Sequence, residues 1–93
     1  MRENEQLLRI QALGEEAERF ITSPLGKFMI ERAEGEVEEA VEALKVIDPS
    51  EAGEIRILQN KIKTGEDFQY WLAEAVQAGA NAIEAIALME APD

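Results

Sequence analysis

The chain has no cysteine and no histidine among its 93 residues. Without cysteine there is no disulfide framework and no thiolate metal site. Without histidine it lacks the side chain that most often moves protons at neutral pH. Nucleophilic catalysis needs an activated Ser, Cys, Thr or Lys beside a base. Ser23 and Ser50 both sit where helix caps are expected, which accounts for them structurally. The chain is read as a non-enzyme with no catalytic, cofactor or metal site. Aromatics are few as well: three Phe, one Trp and one Tyr. Much of the apolar content is alanine, so the core is thin for one domain spanning residues 1–93, and small domains with thin cores are commonly completed by oligomerisation.

Positive charge is scarce. Nine bases face twenty acids, for a net charge of −11, and no Lys or Arg follows Lys63. Binding to a phosphate backbone needs a basic patch. Only Arg56, Lys61 and Lys63 concentrate locally, which argues against direct nucleic-acid binding and leaves a basic protein as a permitted partner. The segment Met1 to Gln6 is charged and carries no hydrophobic stretch of the signal-peptide type. Trp71 to Met89 is apolar enough to suggest a membrane span. Glu74 and Glu84 within it would each cost roughly 2.5–3.5 kcal/mol near a bilayer centre, so no membrane partner is expected.

What is present is helical periodicity. Leu7, Ile10, Leu13, Ala17 and Phe20 recur at steps of three and four, which predicts a helix over about 4–21. Gly14 weakens it and marks a place where a neighbour could come close. Ser23-Pro24 predicts a cap followed by proline at the first helical position. The second helix, 24–47, buries Ile30, Ala33, Val37, Ala40, Leu44 and Ile47, with Leu25 and Met29 alongside. Asp48-Pro49 repeats the start signal and predicts a third helix over 49–89. There Ile55, Leu58, Ile62, Gly65, Gln69, Leu72, Val76, Gly79, Ile83 and Ile86 hold a period of 3.5, the pattern of a coiled-coil seam.

Thr64-Gly65-Glu66-Asp67 imitates a capping box and could divide this helix, but the seam passes through it unbroken. A continuous helix predicts that Gly65→Ala is stabilising, by up to ~1 kcal/mol. Gly65 and Gln69 mark a thin polar layer that sets register, or else a hinge or pore-lining ring. No strand-like alternation occurs. The predicted fold is all-α: three helices, a helical hairpin plus a long C-terminal coiled-coil-like helix.

Two surfaces are candidates for interaction. From Trp71 to Met89 the polar residues Glu74, Gln77, Asn81 and Glu84 make one narrow stripe, so the apolar face is far wider than a surface helix needs. The expected homo-oligomer interface is Leu72, Val76, Gly79, Ile83 and Ile86, with small residues around Gly79 suited to a close crossing. Trp71, Tyr70 and Phe68 are expected to form the main aromatic packing cluster. On the second helix Glu31, Glu34, Glu38 and Glu42 share a face. The plain reading is a solvated face, the sharper one a surface for a basic partner. Di-iron bundles pair such carboxylates with His, which is missing here.

Ser23-Pro24-Leu25-Gly26 leading into Ile30-Glu31-Arg32-Ala33-Glu34, and Ile57-Leu58-Gln59-Asn60-Lys61-Ile62 followed by Trp71-Leu72-Ala73-Glu74-Ala75, flank the Asp48-Pro49 hinge. As a pair they resemble small acidic helical proteins that tailed bacteriophages encode among their head and packaging genes. The resemblance spans about residues 14–84. It implies a phage origin and a virion or assembly role, in host cytoplasm or virion, with other phage structural proteins as possible partners, and assigns no function to single residues. Two functions therefore stand from the sequence: an oligomeric structural or assembly protein, or an acidic inhibitor that offers carboxylates to a basic host protein as DNA offers phosphates.

Overall fold

A computed structural model of the chain describes residues 2–90. Among them are three helices and no strand: α1 (Arg2–Thr22), α2 (Pro24–Val46) and α3 (Ala52–Glu90). The all-α, three-helix expectation holds, and α3 runs without a break through Thr64–Asp67.

The two junctions follow from local hydrogen bonding. At the end of α1, the Thr22 hydroxyl lies 3.1 Å from the Glu18 carbonyl and 3.2 Å from that of Arg19. Both the amide and the hydroxyl of Ser23 donate to the Phe20 carbonyl, at 3.0 and 2.6 Å. The bonds to Arg19 and Phe20 occupy carbonyls that a helix end leaves without partners, and Pro24 opens α2 at once. Before α3, Asp48 builds a turn and the helix begins three residues later than expected. Its Oδ1 accepts from the Ser50 amide at 2.9 Å and the Ser50 hydroxyl at 2.8 Å, while the Glu51 amide bonds the Asp48 carbonyl. The Glu51 carbonyl accepts the Ile55 amide, so Glu51 rather than Asp48 stands at the N-cap.

The helices form two compact units that share α3. One comprises Pro24–Tyr70, the other α1 with α3 from Trp71 onward. In the first, α2 and α3 run antiparallel: Ala33 and Val37 lie at Gly65, Ala40 and Ala43 near Leu58. The predicted α2 face is the buried or half-buried one, with Ala40 only 2% exposed, but Leu25 and Met29 lie outside it. A Cβ on Gly65 would come 2.5 Å from Cγ2 of Val37 and 3.1 Å from the Ala33 carbonyl oxygen. The continuity of α3 is thus right and the stabilising Gly65→Ala expectation is overturned, because the missing side chain is what admits α2. Gln69 is half-buried and spends its amide on the Gly65 carbonyl of its own helix, at 3.3 Å.

In the second unit α1 crosses α3 with Gly14 on Gly79. A Cβ built on either would lie 2.8 Å from the Cα of the other, so two backbones touch with no side chain between them. Ala17 and Ala82 are buried beside this contact. It explains two differences from the sequence pattern. Leu13, expected on the buried face of α1, is exposed, because the Gly14 contact turns the line of approach toward Gln11 and Gly14. On α3 the seam holds through Gly79, then Ala82 takes the place of Ile83, which is 49% exposed. A straight helix drifts from a strict 3.5 period, and a crossing this close selects the smaller residue.

Candidate interaction surfaces

Thr64 and Gly65 leave one side of the Pro24–Tyr70 unit shallow, and a groove of about 840 Å³ opens there. From α2 it is walled by Phe28, Met29, Arg32, Ala33 and Glu36, and from α3 by Ile57, Asn60, Lys61, Gly65 and Phe68. Phe28, Met29 and Ile57 are exposed and Phe68 half-buried. The Arg32 guanidinium Nε donates to Glu36 Oε1 at 3.3 Å, whereas Lys61 has no ion pair among the described residues. The groove therefore has apolar walls and a net positive rim in a chain of charge −11. The sequence pattern did not reveal it. Phe28, Ile57 and Phe68 fall off the α2 and α3 seams, and only two helices side by side bring them together. Three large apolar residues off the seam were the available signal.

Glu31, Glu34, Glu38 and Glu42 are all exposed on α2. Glu42 accepts a hydrogen bond from Lys45 at 2.9 Å. From α3, Glu66 and Gln69 join Glu34, Val37 and Glu38 around a depression of about 450 Å³, adding a carboxylate that the sequence reading missed. No group of three or more metal-binding side chains occurs among the described residues.

Of the expected self-association residues, Gly79 is occupied by Gly14 of its own chain, Leu72, Val76 and Ile86 are half-buried, and Ile83 is exposed. Trp71 and Tyr70 do not form the expected packed cluster. They are 62% and 64% exposed. Leu88 and Met89 are exposed near the end of α3. Among the described residues, no helix is long and apolar enough to cross a membrane. Among the described residues, Asp48 is the one whose acidity clearly departs from normal. Its carboxyl lies below the ordinary value of 3.8, held there first by the Ser50 amide and then by the Ser50 hydroxyl. That is a turn-building role.

Comparison of the chain with protein families, with curated proteins and with solved structures returned no match.

Proposed function

We propose that the chain is a non-enzymatic, self-associating helical structural or assembly protein, a bacteriophage virion or packaging accessory component, working in host cytoplasm or virion. One observation supports this above the others. The buried apolar residues among those described are Ala17, Ala40, Leu58 and Ala82, while thirteen large apolar side chains are exposed. Fully burying a Leu or Phe stabilises by about 1.5–3 kcal/mol, and three alanines supply far less. Association with further copies covers these exposed side chains. The exposed Ile83, Leu88 and Met89 at the end of α3 fit the same role. The phage assignment rests on the residues of the resemblance alone, and mass spectrometry of purified particles tests it.

Size-exclusion chromatography with light scattering at micromolar concentration is the direct experiment. The expected mass is at least twice 10.3 kDa. A mass of 10.3 kDa across that range overturns the reading.

The acidic-inhibitor reading gains one specific observation, the arrival of Glu66 beside Glu34 and Glu38. It calls for a monomer that binds a basic protein and releases it as salt rises. Replacing these three acids by Gln abolishes that binding under the inhibitor reading and leaves the oligomer mass unchanged under the assembly reading.

A further inference from the structure

We propose that the groove between α2 and the first half of α3 receives residues 83–90 of α3 from a second copy, so that copies join head to tail. The proposal rests on the self-association reading and names its geometry.

The end of α3 needs cover that its own unit does not supply. At 100° per residue, Ile83, Leu88 and Met89 point to three different sides of the helix, and all three are exposed, Leu88 by 75%. A neighbouring helix such as α1 covers one side of α3. A helix apolar all round is a helix buried on several sides. The groove offers the matching seat, with exposed apolar walls at Phe28, Met29 and Ile57.

Charge selects this pairing over others between copies. Two chains of −11 repel, and most of their surfaces are acidic. The groove is the exception: Arg32 is answered by Glu36, and Lys61 remains. The segment 83–90 carries Glu84 and Glu90 and no base. Lys61 at the rim therefore meets the acids of the incoming helix, whereas groove against groove would set cation against cation.

The donor must be another molecule. α3 is one unbroken helix of 39 residues, and at about 1.5 Å per residue a helix sets Ile83 about 22 Å along its own axis from Phe68. Its end cannot turn back into a site that its own first half forms. A heterologous contact of this kind closes into a ring or continues as a filament.

Two exposed substitutions test it, Phe28→Asp in the groove and Leu88→Asp at the helix end. Each variant alone is expected to run as a monomer by light scattering, with helical circular dichroism retained. Mixed in equal amounts they are expected to form a complex of twice the monomer mass and nothing larger, since the mixture holds one intact groove for each intact end. Ile57→Asp replaces the groove variant if Phe28→Asp loses its helicity. Lys61→Glu is expected to weaken association more than tenfold at low salt, and less as salt rises. A single variant that keeps the wild-type mass, or a mixture that stays monomeric, overturns the head-to-tail geometry while leaving self-association standing. A monomeric wild type overturns both.

Discussion

A methyl group added at Gly65 would meet Val37 and the Ala33 carbonyl, whereas at Gly35, on α2, it would meet nothing within 4 Å. Both glycines lie inside helices, where Gly costs roughly 0.5–1 kcal/mol relative to Ala. Gly35→Ala is therefore expected to stabilise by up to ~1 kcal/mol. Gly65→Ala gains the same propensity but overpacks the crossing, at a typical cost of about 1–3 kcal/mol, and is expected to destabilise on balance. Urea denaturation of the two variants checks the opposite signs. Sequence alone gives the helical setting of both residues but not their neighbours, so it predicts one sign for two glycines that behave differently. Asp48 yields a second prediction at this scale. Its folded pKa is lowered, so its bonds to Ser50 stabilise the turn above the ordinary value of 3.8 and are lost as pH falls through the folded value. An NMR titration of the carboxyl is expected to show the low pKa in the native chain. Ser50→Ala should return it only part of the way, because the backbone amide bond remains.

The helices themselves were largely legible, since caps and apolar spacing are local properties. Ser23-Pro24 marks the start of α2, and Ile30 to Leu44 mark its buried side, while Ile47 falls just past its end. What was not legible depends on a partner. Gly79 reads as a close crossing in the sequence, yet only the fold shows that Gly14 fills it and that Leu13 turns outward as a result. Trp71 reads as core by its size and is exposed in the fold. The groove is the least legible feature, because Phe28 and Phe68 are forty residues apart and neither lies on a seam. The crossing carries its own prediction. Gly79→Leu forces a side chain between two backbones that now touch, so the melting temperature is expected to fall by an amount equivalent to at least about 1–3 kcal/mol. Because the obstructed partner is α1 of the same chain, the loss should be the same in dilute and concentrated protein. A drop confined to high concentration would place the crossing between copies instead.

For the whole molecule, a charge of −11 sets the conditions under which copies meet. At about 0.01 M salt the screening length is about 30 Å, comparable to a small domain, and falls to about 8 Å at 0.15 M. Self-association is therefore expected to strengthen over that range as general repulsion is screened. An inhibitor that holds a basic protein through its carboxylates should weaken over the same range. Sedimentation velocity at the two salt concentrations separates them by sign alone.

The Gly14–Gly79 contact joins positions sixty-five residues apart in the chain, and this sets a schedule for synthesis. α1 leaves the ribosome with its packing face complete, but the stretch of α3 that covers it follows about fifty residues later, after all of α2. At ~5–20 residues per second that interval is about 3–10 s. For those seconds the buried faces of Gly14 and Ala17 have no partner, while α2 can already close on the first half of α3 as it emerges. The unit containing the first helix made is the last to be completed.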